Sequence, residues 1–213
     1  MRFTSLSCAL LALSTLLPGA ANAADWNQWR GPNRDSQLSE SEWPDALNGR
    51  MELVWEKPHA PSYSGPITQD GIVFTTETIG KKTEKVTAYD IKTGEMVWEK
   101  EWPGAMAVPF FAASNGDWIR STPAVSGDKL LILGMRDVLV CLDTKTGKKL
   151  WERRDLNCDH RVRAASCPII DGGLLFLTYD GVDQQFVAAL EKETGETRWL
   201  TKRSYKSGQV PPK

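Results

Sequence analysis

The sequence predicts an all-β fold built from repeated four-stranded units, and three observations support this prediction. A pattern close to Asp-x-x-Thr-Gly-x-x-x-Trp occurs three times, and its copies end about fifty residues apart at Trp98, Trp151 and Trp199. A Ser-x-Pro element precedes each copy, at Ser64, Ser121 and Ser166. The stretches between these elements are short, apolar and rich in β-branched residues, with turn residues at their ends, as is typical of half-buried strands.

Residues 1–23 have the features of a secretory signal peptide. Arg2 is followed by an apolar run over residues 6–17, and Ala21-Asn22-Ala23 has the small-x-small spacing of a cleavage site. The apolar run is much shorter than the roughly 20 residues that a membrane span needs. The sequence therefore predicts cleavage after Ala23, export to the periplasm or the medium, and no membrane span.

Residues 24–50 are predicted to form an N-terminal extension, and residues 51–203 the repeated units. Residues 51–57, which contain Trp55, match only the last strand of a unit and are expected to form one outer strand. The second complete unit is the clearest, and its four strands are predicted at 121–125, 129–134, 138–143 and 148–153. Residues 204–213 are expected to begin the next repeat.

The spacing that recurs in each copy has a physical reason in the turn before the last strand. The carboxylates of Asp90 and Asp143 can accept backbone N–H groups of the turn, and a glycine takes its left-handed position. These glycines are Gly94, Gly147 and Gly195. Four-stranded units of this length, each ending in a large aromatic residue, are typical of β-propeller blades stacked around an axis. The tryptophans are therefore predicted to be structural.

The repeat resembles the tryptophan-docking repeat of the PQQ-like β-propellers. This family includes quinoprotein dehydrogenases and the propeller lipoprotein of outer-membrane protein assembly. The copy at 88–98 matches the pattern at every position, whereas the later copies have Cys141 for Ala and Glu191 for Asp. Residues 25–32, Asp-Trp-Asn-Gln-Trp-Arg-Gly-Pro, also resemble the opening of exported, uncharacterised members.

The resemblance implies a partial β-propeller. Members of the family usually form rings of eight blades, and this sequence contains about three blades and one outer strand. Three blades alone would expose two large apolar blade faces. We therefore expect the chain to be a sector of a longer propeller, so that remaining blades or other copies are needed to close the ring.

Charge and cysteine content exclude several classes of function. Lys and Arg number 26 against 27 for Asp and Glu, a formal charge of −1, so no nucleic-acid partner is expected. After signal cleavage three cysteines remain, at 141, 158 and 167. Either Cys158 and Cys167 form one disulfide or all three are unpaired. Without a Cys-x-x-Cys pair or a His/Cys cluster, no metal site is predicted.

A binding or scaffold function fits the residues better than catalysis. Two long loops, 102–119 and 155–164, should lie on one face of the propeller, where they would offer aromatic and basic side chains to a protein or another ligand. This candidate partner surface comprises Trp102, Phe110, Phe111, Trp118, His160, Arg161 and Arg163. The alternative is that these residues bind no partner: the aromatic residues would cap the central channel, and the arginines would be solvated.

The alternative function is that of a PQQ-dependent quinoprotein dehydrogenase. The resemblance implies that such an enzyme has PQQ held with Ca²⁺, an Asp base and commonly a disulfide between adjacent cysteines. The sequence has no adjacent cysteines, and Asn115-Gly116-Asp117 is more typical of a turn than of a calcium site. We therefore predict no catalytic, cofactor-binding or metal-binding residue and expect no cofactor, with PQQ and calcium as the alternative.

Overall fold

The fold was analysed in a computed structural model, which describes residues 25–37, 46, 49, 51–105, 110, 114, 116–156, 166–180 and 185–203. Apart from 3₁₀ geometry at residues 110 and 114, the regular elements in these ranges are β-strands, and the strands form three four-stranded antiparallel sheets. The predicted partial propeller of three blades is confirmed. No helix in these ranges has the length and apolar character needed to cross a membrane.

Each sheet is a simple meander in which neighbouring strands follow each other in sequence. The first sheet contains β1 (Ile67–Gln69), β2 (Ile72–Ile79), β3 (Thr83–Asp90) and β4 (Met96–Pro103). The second contains β5 (Ala124–Ser126), β6 (Lys129–Leu133), β7 (Leu139–Asp143) and β8 (Lys149–Arg153). The third contains β9 (Ile169–Asp171), β10 (Leu174–Asp180), β11 (Gln185–Glu191) and β12 (Thr197–Arg203). The short inner strands β1, β5 and β9 are neighbours, as expected around an axis.

The prediction of a separate outer strand over residues 51–57 is wrong. These residues form no strand, and the side chains of Met51, Leu53 and Val54 are exposed. The physical reason is that a strand requires a hydrogen-bonded neighbour, and no described strand pairs with this segment. Trp55 nevertheless docks on the first sheet, because its Nε1 donates to the Ile91 carbonyl oxygen at 2.9 Å.

The same local geometry places the terminal tryptophan in all three sheets. A small residue of the third strand lies opposite the tryptophan of the fourth, with Ala88 facing Trp98, Cys141 facing Trp151 and Ala189 facing Trp199. A register irregularity follows the small residue each time. The small partner leaves room for the indole, which explains why alanine and cysteine share this position.

The tryptophans join each sheet to the next by one recurring contact. Trp98 Nε1 donates to Thr144 O at 2.9 Å, and Trp151 Nε1 donates to Lys192 O at 3.1 Å. Trp98 is only 9% exposed, whereas Trp199 is 42% exposed on the last described sheet. Burial therefore follows the presence of a neighbouring blade, as the propeller prediction requires.

The turn before each outer strand is held by side-chain and backbone hydrogen bonds. Asp143 Oδ1 accepts the N–H groups of Lys145 and Thr146 at 3.1 and 2.8 Å and the Thr146 hydroxyl at 2.6 Å. These hydrogen bonds, led by that of the Thr146 hydroxyl, hold the pKa of Asp143 below its usual value. In the third blade the longer Glu191 instead lies 3.2 Å from Arg198 Nη1.

The core consists of two apolar layers between the sheets. One layer joins the first and second sheets and includes Phe74, Trp98 and Leu130. The other joins the second and third sheets and includes Leu131, Leu175 and Phe186. Because residues 130 and 131 point to opposite layers, β6 is buried on both faces, as expected of a strand in a middle blade.

Candidate functional site

The N-terminal segment, residues 25–37, crosses the inner strands of all three blades. The Thr68 amide donates to Trp26 O and the Val125 amide donates to Asn27 O, both at 2.9 Å. Arg34 Nη2 donates to Ile170 O at 3.1 Å. Thr68, Val125 and Ile170 are the middle residues of β1, β5 and β9, so the segment contacts equivalent positions in successive blades.

The backbone of the N-terminal segment adopts left-handed conformations that side-chain-bearing residues rarely take. The φ angles of Arg30, Arg34 and Ser36 are 66°, 58° and 63°. At Gly31, with φ of 79°, an added Cβ would lie 2.8 Å from the ring of Trp26. Hydrogen bonds from Gly31 N to Gln28 O and from Ser36 N to Arg30 O, each 3.0 Å, hold this tight path.

A pocket of about 430 Å³ lies between the N-terminal segment and the connections that lead into β5 and β9. Its described lining combines aromatic, cationic, hydroxyl and thiol side chains. These include Trp29, Arg34, Tyr63, Arg120, Thr122 and Cys167. The volume lies within the usual range for small-ligand sites.

Arg120 and its aromatic neighbours form one wall of the pocket. The guanidinium carbon of Arg120 lies 4.9 Å from the ring centre of Tyr63, and Arg120 Nη2 donates to Gly116 O at 2.8 Å. The ring of Tyr63 also packs 5.2 Å from that of Trp118. The Tyr63 amide donates to Ile119 O at 2.9 Å, which fixes the two chain segments side by side.

The Ser-x-Pro element that precedes β9 forms another part of the pocket lining. The Ser166 hydroxyl lies 2.9 Å from that of Thr178, and the Ser121 hydroxyl donates to Ser166 O at 2.8 Å. Cys167 is a half-buried free thiol. The partner considered for it in a disulfide, Cys158, lies outside the described residues.

The described lining of the pocket carries two cationic side chains and no acidic one. Arg34 Nε donates to Gln28 Oε1 at 3.3 Å, so the two hydrogen bonds of this side chain within the fold go to neutral acceptors. Among the described lining residues Arg34 and Arg120 carry charge, and none is Asp or Glu. The described lining is therefore suited to an anionic group.

The comparison with protein families explains the repeated tryptophan pattern. The family described as outer membrane protein assembly factor BamB, a PQQ-repeat family, matches residues 82–210. The chain belongs to this PQQ-repeat family. The expected resemblance is thereby confirmed, and it covers all of the second and third blades.

Curated relatives of this PQQ-repeat protein include dehydrogenases. The quinohemoprotein alcohol dehydrogenase ADH IIB of Pseudomonas putida is 24% identical over 137 residues, which is 63% of this chain and 19% of the relative. The 1-butanol dehydrogenase (cytochrome c) of Thauera butanivorans is 28% identical over 164 residues, covering 72% of this chain and 22% of the relative. The chain thus spans about a fifth of the length of these relatives.

Solved structures show the same fold. The quinohemoprotein alcohol dehydrogenase from Comamonas testosteroni superposes with a TM-score of 0.63 at 20% identity, covering 87% of this chain and 28% of the other. A europium-containing methanol dehydrogenase superposes with a TM-score of 0.60 at 18% identity, covering 83% and 32%. At sequence identities this low, the structural similarity shows a shared blade architecture and nothing further.

The described pocket does not fit a quinone cofactor held by calcium. Ca²⁺ takes six to eight oxygen ligands, largely from carboxylates and carbonyls. The described pocket lining offers two guanidinium groups and no carboxylate. Across the described ranges, no group of three or more His, Cys, Asp or Glu side chains is arranged to hold a metal ion.

The predicted partner surface is only partly described, and one member is misplaced. Trp102 lies in β4 and is 6% exposed, with its Nε1 donating to Glu84 Oε2 at 3.0 Å. It belongs to the core because β4 extends to Pro103, whereas the loop was expected to begin at 102. Phe110 is 92% exposed and Trp118 is half-buried against Tyr63. Phe111, His160, Arg161 and Arg163 lie outside the described residues.

Sequence reasoning missed most of the pocket, although one signal for it was present. Thr122, Ser166 and Cys167 belong to the recurring Ser-x-Pro elements, which the repeat pattern assigned only to strand starts. Tyr63 and Arg120 immediately precede two of these elements. The contribution of Trp29 and Arg34 depends on the path of the N-terminal segment, which no local pattern encodes.

Proposed function

We propose that this protein is an exported binding module of the PQQ-repeat family and that it binds its ligand in the pocket beside the N-terminal segment. One observation carries the proposal: chain segments from five places in the sequence converge on a single cavity whose described lining carries two cationic side chains. The segments at residues 28–34, 63, 120–122, 166–169 and 178 all line it. Such convergence of a few polar groups on an apolar pocket is typical of ligand sites.

The chemistry of the described lining favours binding over reaction. Guanidinium, hydroxyl and aromatic groups orient a ligand, whereas general acid–base or nucleophilic catalysis needs a nucleophile with an adjacent base. The described lining contains the Cys167 thiol but no His, Asp, Glu or Lys to activate it. The fold alone assigns no activity, since the same architecture serves different functions.

Export and assembly are further parts of the proposal. The signal peptide expected over residues 1–23 supports a periplasmic or extracellular location. A protein partner would contact the loop face through the exposed Phe110 and the predicted Phe111, His160, Arg161 and Arg163. Remaining blades, or other copies of the chain, would complete the ring beyond the exposed Trp199.

The second candidate function is participation in a PQQ-dependent dehydrogenase. The observation that favours it is the match to quinohemoprotein and cytochrome-c-linked alcohol dehydrogenases. Since the chain spans about a fifth of those proteins, the match extends to the repeats and leaves most of each enzyme uncompared.

A thermal-shift panel on the purified protein tests both candidates. The panel contains carboxylates, sugars, amines and quinones, including PQQ with and without Ca²⁺. Cys167→Phe fills the pocket, and Lys145→Phe, in the exposed turn before β8, is the matched control. We expect at least one compound to raise the Tm of the parent and control proteins but not of Cys167→Phe, because a ligand stabilises only the state that binds it.

Two outcomes would contradict the binding proposal. One is a panel in which no compound raises the Tm of the parent protein, and the other is a shift that persists in Cys167→Phe. PQQ with Ca²⁺ is expected to give no alcohol-dependent dye reduction. Dye reduction that requires both would instead establish the dehydrogenase.

A further inference from the structure

We propose that Cys167 is a covalent modification site. Its thiol forms a mixed disulfide with an anionic low-molecular-weight thiol of the cysteine-containing peptide class, and the body of that molecule lies in the pocket. This inference goes beyond the proposed function, because the modification requires no ligand of the thermal-shift panel and is measured without one.

The first argument is the setting of the Cys167 thiol. Cys167 is a free, half-buried cysteine that lines the pocket of about 430 Å³. The second free cysteine in the described ranges, Cys141, is fully buried opposite Trp151, and burial raises the pKa of its thiol to about 12. Disulfide exchange requires a thiolate that the reagent can reach. Of these two cysteines, Cys167 is therefore the one placed to react.

The second argument is a buried hydroxyl group in the same pocket that has no partner. Thr122 lines the pocket and is 7% exposed, and its hydroxyl makes no hydrogen bond to a described residue. Its neighbours differ, because the Ser121 hydroxyl donates to Ser166 O and the Ser166 hydroxyl lies 2.9 Å from that of Thr178. A buried polar group without a partner is unfavourable. The amide groups of a peptide thiol would supply the missing partner.

The third argument is the guanidinium group beside the element that carries Cys167. Arg34 lines the pocket and donates to Gln28 Oε1 at 3.3 Å and to Ile170 O at 3.1 Å, both of them neutral acceptors. Ile170 lies three residues after Cys167, so the guanidinium is held on the same short stretch of chain. A guanidinium attracts carboxylates and donates hydrogen bonds to them. The site should therefore favour an anionic reagent over a cationic one.

The chemical step is a thiol–disulfide exchange with a low-molecular-weight disulfide. The Cys167 thiolate attacks one sulfur of the reagent, a new S–S bond forms to Cys167, and the S–S bond of the reagent breaks. One half of the reagent stays on the protein, and the other half leaves as a thiolate that takes up the proton lost by Cys167. Cys167 is thereby oxidised and the departing thiol is reduced. The step needs no adjacent general base.

Peptide mapping by mass spectrometry, without reductant, tests the site on the purified protein. Glutathione disulfide is the probe. We expect an adduct on Cys167 that forms at least about tenfold faster than any adduct on Cys141, because a buried thiol is unreactive. The adduct on Cys167 should persist in Cys158→Ser, which removes the other cysteine considered as its partner. A disulfide between Cys158 and Cys167 in the purified protein would overturn the inference, as would a Cys167 that stays unmodified.

The ratio of the reaction rates of Cys167 with glutathione disulfide and with cystamine, a cationic disulfide, tests the charge preference. Arg34→Gln should lower this ratio about threefold or more, because the lost charge attracts the first reagent and repels the second. Arg136→Gln changes an exposed arginine in the turn between β6 and β7, outside the described pocket lining, and should leave the ratio unchanged.

A salt series keeps the charge preference testable if Arg34→Gln lowers the Tm. In the unaltered protein, the same ratio should fall as NaCl rises from about 50 to about 500 mM, because salt screens the attraction. A ratio that responds neither to the substitution nor to salt would refute the anionic class.

The equilibrium between the protein and a glutathione redox buffer tests the location of the bound molecule. Thr122→Val keeps the shape of the side chain but removes the hydroxyl, so the equilibrium constant for adduct formation should fall about two- to tenfold. Thr201→Val, at an exposed position of β12, is the matched control and should leave the constant unchanged. An unchanged constant in Thr122→Val would place the peptide outside the pocket and would contradict the inference.

Discussion

At the scale of single residues, Glu84 shows how a buried carboxylate joins two blades. It lies in β3 with no exposed surface, and it accepts the Trp102 Nε1–H at 3.0 Å and the Met135 amide at 2.6 Å. A Cβ added at Gly134 would lie 2.0 Å from Glu84 Oε2, so only glycine fits beside the carboxylate. Burial raises the pKa of Glu84 above its usual value of 4.5, although both hydrogen bonds oppose the shift.

Glu84→Gln should destabilise the fold and change its pH dependence. The side-chain amide would direct a donor toward an N–H group, which costs about 1–3 kcal/mol. Because the folded pKa of Glu84 lies above the unfolded one, its contribution to stability is complete below 4.5 and decreases as the pH rises through the folded pKa. The loss caused by Glu84→Gln should therefore be larger near pH 4.5 than near about pH 8.

Urea unfolding at the two pH values measures this difference. Glu101→Gln, an exposed position on β4, is the control and should change stability by less than about 0.5 kcal/mol. A loss from Glu84→Gln that is equal at both pH values would contradict the raised pKa of Glu84.

At the scale of elements, a tryptophan of the outer strand packs on the turn of the next sheet and donates its Nε1–H to a carbonyl oxygen there, a contact that we call the tryptophan dock. Trp98 lies on the turn of the second blade, where Gly147 has a φ of 66° and an added Cβ would be 2.5 Å from the indole. Gly127 has a similar φ of 62°, but an added Cβ there meets no atom within 4 Å. A comparison of substitutions at the two glycines therefore separates the cost of backbone strain from the cost of losing the inter-blade contact.

Gly147→Ala should destabilise the protein more than Gly127→Ala. Both substitutions place a side chain in the left-handed region, at about 1–2 kcal/mol. Gly147→Ala also forces Trp98 out of its dock, which adds about 1–3 kcal/mol. Chemical unfolding of both variants gives the comparison, and equal losses would show that the dock contributes little.

The blades could be predicted from sequence because their determinants are local and repeated. The turn at Asp143, the glycine after it and the tryptophan of β8 lie within nine residues, and their spacing recurs. The segment 51–57 has the same strand-like pattern, but a strand also depends on a neighbour that no local pattern supplies. Likewise, the burial of Trp102 in the core depends on the length of β4 and on the hydrogen bond to Glu84, its partner on β3.

The pocket could be predicted only in part, for a related reason. Its hydroxyl-bearing wall comes from the repeated Ser-x-Pro elements, whereas Arg34 reaches Ile170 across 136 residues of sequence. A contact between residues so far apart is set by the packing of whole blades. The partner surface that combines Phe110 and Phe111 with the charged loop at 155–164 was predicted from composition. Composition contains no information about the cavity beside Tyr63.

At the scale of the whole molecule, the N-terminal segment connects the blades and completes the pocket. Its hydrogen bonds to Thr68, Val125 and Ile170 hold three inner strands, and its side chains Trp29 and Arg34 face the cavity. A ligand in this pocket would therefore contact the segment and the connections that lead into two blades. Binding should reduce backbone opening in those parts together.

Hydrogen–deuterium exchange with and without the panel compound that raises the Tm most is the most direct test of the binding account. We predict slower exchange on binding in peptides that cover residues 25–37, 116–122 and 166–170. Exchange in the outer strands β4, β8 and β12 should be unchanged. Protection that is confined to the 155–164 loop and the region around Phe110, with none in the N-terminal segment, would contradict the account.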